Sequence, residues 1–357
     1  MSLSDNNDFK LPIYYFPDGN IVIRCRSLAD DSPSTSVHFR IYQGHLSAQS
    51  SVFSDMLTIP QGNAPDTYEG LPVVEFPTSP DTMADFLSFL YDPGCVMLYT
   101  RGNDLLYFRR DVLSGGEADL AFKLLEVIVL ADMLMVEPIK RAIIGRLKQD
   151  WEACSAQHWL SNIRTLNALP SLWFTPEKFF EPASALHIAR RFDEALITPM
   201  LLFELAFRHP YLLYNESPKF QVDAPLRARW DMVSLSDKKK VWKLWERILT
   251  HIAEQLPYLR IGRKASLSEC GRQGSTECEF FFDRKVDSLY TALVGGAHPL
   301  YFLESLKLQG DTVVERGEYD DVEICSKCGS SWDKLLDKLQ EEVFLIAKHF
   351  STILDQF

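Results

Sequence analysis

Seven cysteines stand at positions 25, 95, 154, 270, 278, 325 and 328, and two of them form the spacing Cys325-Ser326-Lys327-Cys328. Two intervening residues let both sulfurs reach one tetrahedral ion, which is half of a four-sulfur zinc site. Cys270 and Cys278 are the pair that can supply the other half, although their gap is wider than a common zinc knuckle and 46 residues separate the pairs. Two readings therefore stand side by side: one structural zinc held by Cys270, Cys278, Cys325 and Cys328, or four ordinary thiols in core and surface positions. A thioredoxin-type redox pair fits less well, because no strand of a βαβ unit precedes the motif.

Other constellations with chemical content do not assemble in the sequence. It holds no phosphate loop, no GxSxG elbow, no HExxH and no kinase set. The histidines at 38, 45, 158, 187, 209, 251, 298 and 349 are dispersed, and the carboxylate pairs Asp30-Asp31, Asp320-Asp321 and Glu341-Glu342 sit among other polar residues. The expectation is a chain that is not an enzyme. Its net charge of −12, from 37 basic against 49 acidic residues, repels polyphosphate, and the basic clusters Arg109-Arg110, Arg190-Arg191 and Lys238 to Lys240 are short. Nucleic acid is thus not an expected partner. Nor is a membrane: the longest apolar stretch, Ala121 to Val136, is broken by Lys123, Glu126 and Asp132. The first ten residues, MSLSDNNDFK, lack the basic start and apolar core of a secretory signal. With an odd, scattered cysteine set, this points to the cytoplasm or nucleus and away from a disulfide framework.

The elements that must position these residues follow from periodicity. A chain of 357 residues, 46% hydrophobic and 24% charged, fits two folded domains. Residues 1–12 read as a polar, frayed end. Ile21 to Cys25 is a β-branched run after the turn Asp18-Gly19-Asn20, and Val37 to Tyr42 alternates apolar Val37, Phe39 and Ile41 with polar partners, so the two predict an antiparallel hairpin. Gly44 to Ser47 leads into helix, in which Leu46, Val52, Phe53, Met56 and Leu57 share a side until Pro60 and Gly62. A third strand is expected over Leu71 to Phe76. Ser79-Pro80 then starts a helix over 81–91 that buries Met83, Phe86, Leu87 and Leu90. Residues 92–117 read as an inserted loop with one strand at Leu105 to Phe108, followed by a buried helix over 118–134 and another from Glu137-Pro138 to Trp151.

Beyond residue 155 the strand signal fades. Thr175-Pro176-Glu177 and Thr198-Pro199 are capped helix starts, and Val241, Trp245, Ile248, Ile252 and Leu256 form one stripe of a helix from near Ser236. Trp332, Leu336, Leu339, Val343, Ile346, Phe350 and Ile353 make a seam of about three heptads, which predicts a last helix docked on its own domain rather than in a coiled coil.

An order of strand, strand, helix pair, strand, helix, loop, helix, helix predicts a small sheet covered by helices. The residues themselves resemble a family. Phe16-Pro17-Asp18-Gly19-Asn20-Ile21-Val22, then Phe39 through Leu57 with Leu46-Ser47 and Ser51-Val52-Phe53, is similar to the opening of BTB/POZ domains of the kind expanded in mushroom-forming fungi. Tyr68 to Val74 and Leu87-Ser88-Phe89-Leu90-Tyr91-Asp92 continue the likeness, which covers residues 13–150. Glu181 to Arg191, Thr198-Pro199 and Cys325-x-x-Cys328 are similar to the C-terminal region of the same fungal proteins. Tyr42-Gln43-Gly44-His45 replaces the His-Lys pair common in animal BTB domains, and the 92–117 insertion exceeds a minimal domain.

The resemblance implies an α+β architecture: a BTB/POZ domain at 13–150 with an insertion at 92–117, then a mainly helical domain at 155–357. It also implies a protein–protein interaction module, an adaptor or assembly factor, that self-associates as a homodimer through its first helix and N-terminal strand. Leu46, Val52, Phe53, Met56 and Leu57 are the candidate interface residues, each with an alternative place in the core. Two narrower roles also occur in the family. One is a substrate adaptor on a cullin ubiquitin-ligase scaffold. The other is a transcription regulator, which would need tandem zinc fingers or a basic helix that this chain does not contain.

Overall fold

Three apolar runs pair into the centre of a five-stranded sheet. Ile21–Arg26 (β2) lies between Ser36–Ile41 (β3), antiparallel with Ile23 opposite Phe39, and Leu71–Phe76 (β5), parallel with Ile23 opposite Val74. Ile21, Val22, Ile23 and Cys25 are all buried, as a strand covered on both faces requires. The edges are Asp8–Tyr15 (β1), parallel to β3, and Thr67–Tyr68 (β4), antiparallel to β5. The strand order is β1-β3-β2-β5-β4. Glu69 and Gly70 both have positive φ between β4 and β5, the backbone of a two-residue hairpin turn.

This architecture comes from a computed structural model that describes residues 8–26, 36–59, 66–91, 96–97, 109–110, 120–166, 181–207, 228–268, 270, 276–294, 298–307, 314–315, 322–323 and 325–354. The chain divides into two compact units, Met1–Arg146 and Leu147–Phe357. The first carries the sheet with helices, and the second is mostly helical, so the molecule is mixed α+β.

In the first unit the expected frayed end is partly a strand. β1 is held by tertiary partners and not by its own pattern: Leu11 and Tyr14 are buried, Tyr15 Oη donates to Glu69 at 2.6 Å, and the Lys10 ammonium pairs with the same carboxylate. Pro12 is tolerated because the strand is an edge. Gly19 is required by a close approach, since a Cβ there would lie 3.0 Å from the backbone of Arg40 and Ile41.

Gln43–Gln49 (α1) and Ser51–Thr58 (α2) follow β3. Ser50 caps α2, accepting from Phe53 N–H at 3.0 Å while donating to the Leu134 carbonyl at 2.5 Å. Pro80–Tyr91 (α3) starts at Ser79, whose Oγ accepts from Thr82 N–H at 3.1 Å. Within the insertion, Val96–Met97 (β6) pairs with Arg109–Arg110 (β7); the strand expected at 105–108 lies outside the described residues, as do Pro60 and Gly62. Leu120–Met133 (α4) follows, and Glu137–Trp151 (α5) begins in this unit and runs past its last residue, Arg146. α4 ends with Met135 at φ +54°, Met135 N–H on the Asp132 carbonyl and Val136 N–H on the Ala131 carbonyl, a left-handed stop in which glycine is the usual occupant.

The second unit adds Ala156–Leu166 (α6), Pro182–Arg191 (α7), Thr198–Ala206 (α8), Leu235–Ser268 (α9), Thr276–Val294 (α10), Pro299–Ser305 (α11), the two-residue strands Val314–Glu315 (β8) and Val322–Glu323 (β9), and Ser326–Leu354 (α12). β8 and β9 pair antiparallel, a small addition to the expected helical region. Every residue of α8 is buried. Around it, α9 presents Val241, Leu244, Ile248 and Ile252, and α12 presents Trp332, Leu336, Leu339, Val343, Phe344 and Ala347, all buried. α12 packs on α6, α8, α9 and α11 of its own unit, so its seam is spent within the chain. Asp237 N–H bonds to Ser234 Oγ at 3.0 Å, which moves the start of α9 slightly upstream of the expected Ser236. The segment 175–177 lies outside the described residues. Among the described residues, no helix is long and apolar enough to cross a membrane.

Candidate metal centre

Three of the four cysteines sit at helix starts, and the fourth follows the end of α9. Cys278 is the third residue of α10 and Cys328 the third of α12. Cys325 stands immediately before α12, where its carbonyl accepts from Gly329 N–H at 2.9 Å and closes the first helical turn. Cys270 lies in the connection between α9 and α10. The two-residue spacing of Cys325 and Cys328 thus becomes one side of a site because a helix turns between them.

The four Sγ atoms lie within 4.8 Å of one another. Cys270 Sγ is 3.6 Å from Cys325 Sγ and 3.9 Å from Cys278 Sγ. Zinc–sulfur bonds of about 2.3 Å in a tetrahedron place sulfurs about 3.8 Å apart, so these separations are close to the edges of a metal-thiolate tetrahedron. They are far longer than a disulfide bond of about 2.05 Å, and none of the four is disulfide-bonded. Cys278 and Cys328 are 0% exposed, Cys270 7% and Cys325 8%.

Burial pushes the Cys278 and Cys328 thiols up, because a buried thiolate loses its hydration, while the Cys325 backbone N–H pulls Cys278 the other way. A divalent cation reverses that balance by replacing the protons. Four thiolates around such an ion would leave a net double negative charge, which the positive ends of the α10 and α12 helix dipoles would help to offset.

One helical turn below the sulfurs, aromatic side chains of the same two helices meet. Trp332 meets Phe282 edge-on with centroids 5.4 Å apart and Phe281 at 6.5 Å, and its Nε1 donates to the Leu306 carbonyl at 3.1 Å. The sulfur cluster therefore tops an apolar contact between α10 and α12.

The remaining cysteines differ. Cys25 is in the sheet, its thiol pushed up to about 12 by burial and then by the Glu75 charge; such a thiol is inert. Cys154 is exposed, with Sγ 3.2 Å from His158 Nδ1. Cys95 lies outside the described residues. The dispersed histidines acquire partners that sequence order hides: His298 Nε2 lies 3.1 Å from the buried Glu204 carboxylate, and His251 Nε2 lies 3.1 Å from Glu342. No spacing rule joins residues that far apart in the chain.

The interface candidates separate into two groups. Leu46 and Phe53 are fully buried, Phe53 against Phe76 at 5.5 Å, and so belong to the core. Val52, Met56 and Leu57 are partly exposed. Ile59, Met133 and Met135 are each about 60% exposed, and Ser51 Oγ, at the start of α2, reaches Met135 Sδ at 3.5 Å.

No family model matches this chain, and no curated protein matches it.

Proposed function

We propose that the chain is a non-catalytic protein-binding module whose C-terminal unit is held together by one structural zinc ion. The observation that carries this reading is the buried four-sulfur cluster, with separations of 3.6 and 3.9 Å, that gathers the starts of α10 and α12 and the connection after α9. An all-cysteine set is the donor chemistry of closed, structural zinc sites, in which no position stays open for substrate. Element analysis of the purified full chain is expected to give close to one zinc per chain, with loss of helix on chelation. A chain that purifies without metal and takes up none when zinc is added overturns the zinc assignment.

The protein-binding role rests on the BTB/POZ resemblance of residues 13–150 and on the exposed or partly exposed apolar side chains of α2 and its neighbourhood, Val52, Met56, Leu57, Ile59 and Met135. Apolar surface on a helix and the adjoining turn is what a partner polypeptide removes from water. The partner we assign first is a second copy of the chain. Sedimentation at tens of micromolar is expected to show a dimer, and Met56→Lys is expected to return it to monomer with its circular dichroism unchanged. A monomer at every concentration removes self-association. The cullin-adaptor role is narrower, and affinity purification from the native cell with a cullin absent from the eluate counts against it.

A further inference from the structure

The four sulfurs are not equivalent. Cys278 and Cys328 are completely buried and lie in the first turns of α10 and α12, where the backbone is fixed by the helix. Cys270 and Cys325 lie outside helices, retain 7% and 8% exposure, and have their sulfurs 3.6 Å apart. The residual exposure that admits an oxidant therefore belongs to two sulfurs that already lie 3.6 Å apart. We infer that Cys270 and Cys325 form a peroxide-oxidisable pair, closing a disulfide that releases the metal and loosens the start of α12 from the start of α10.

This inference rests on the zinc reading for its metal-release half. The chemistry balances with one peroxide. The Cys270 or Cys325 thiolate attacks a peroxide oxygen, the O–O bond breaks, and hydroxide leaves to give a sulfenic acid. The other thiolate attacks that sulfur, the S–OH bond breaks as a second hydroxide leaves, and the S–S bond forms. Two sulfurs each lose one electron, the peroxide gains two, and two protons from solvent convert the hydroxides to water. The metal keeps only Cys278 and Cys328, and a two-sulfur remnant no longer holds zinc as a closed site. Because Trp332 sits one turn beyond Cys328 against Phe282, its packing is the part of the fold positioned to respond.

The test uses the full chain, reduced and loaded with zinc, titrated with hydrogen peroxide. Released zinc is followed with a chromogenic chelator, and cross-links are mapped by non-reducing peptide mass spectrometry. The expected result is release of about one zinc per chain in step with a single Cys270–Cys325 cross-link, reversed by dithiothreitol and added zinc. Cys154→Ser, which removes the exposed thiol, is expected to leave both readouts unchanged. Zinc retained under excess peroxide, a Cys278–Cys328 cross-link, or sulfinic acid without a cross-link overturns the inference. The same map on metal-free reduced chain separates the two claims: a chain that never bound zinc but still cross-links Cys270 to Cys325 refutes the metal and keeps the pair.

Discussion

At the scale of single residues, burial sets the chemistry. Replacing Cys328 by serine removes one donor from a fully buried position, and bound zinc is expected to fall well below one per chain in element analysis. With free zinc a thousandfold above Kd, a bound zinc would contribute about 4 kcal/mol, so the same variant is expected to unfold at lower urea. Asp85 gives a pH signature in the other unit. Burial, then the Asp81 charge, raise its carboxyl to about 7, with Lys123 opposing. Because the folded pKa lies above the unfolded value, the stability it confers is present below about pH 4 and is lost as pH rises toward 7. Asp85→Asn is expected to flatten that window and to stabilise the first unit at pH 8 by about 1–3 kcal/mol, as read by urea unfolding at pH 5 and pH 8. Legibility also varied residue by residue. The spacing of Cys325 and Cys328 marked a candidate ion site in the sequence itself, with Cys270 and Cys278 as the pair that could complete it; their wider gap is no zinc-knuckle spacing, and the path from α9 to α10 is what brings them alongside.

At the scale of elements, caps and turns carry information out of proportion to their length. Ser50 satisfies the start of α2 and also binds the Leu134 carbonyl beyond α4. Ser50→Ala is expected to cost about 1–2 kcal/mol, seen as a lower urea midpoint with an unchanged slope. The left-handed Met135 invites the opposite change: Met135→Gly is expected to relieve backbone strain without loss of helix by circular dichroism. Strands β2, β3 and β5 were legible because β-branched residues and alternation mark them. β1 was not, since Lys10 and Tyr15 are fixed by Glu69, far away in sequence, and Pro12 weakens any local strand signal. Helix α3 was legible down to its cap, because Ser79-Pro80 states the start chemically. The α12 seam was legible as a stripe, and the burial of Phe344 and Ala347 beside it shows a wider contact than heptads alone convey.

At the scale of the whole molecule, each unit has its own core, so the two are expected to report separately on metal. Calorimetry with and without a chelator is expected to lower the transition of the helical unit and leave that of the sheet unit in place; a single transition moving as one would contradict this. The order of the four sulfurs along the chain has a further consequence for biosynthesis. A ribosome that has made Cys270 and Cys278 still has roughly fifty residues to add before the second pair exists, on the order of 2–10 s at typical elongation rates. On the zinc reading, the nascent chain during that interval would offer only the first pair of thiols as ligands. Scarcity of the ion while the chain is being translated would therefore appear as a late-folding C-terminal half handed to chaperones, and much less as finished protein with an empty site.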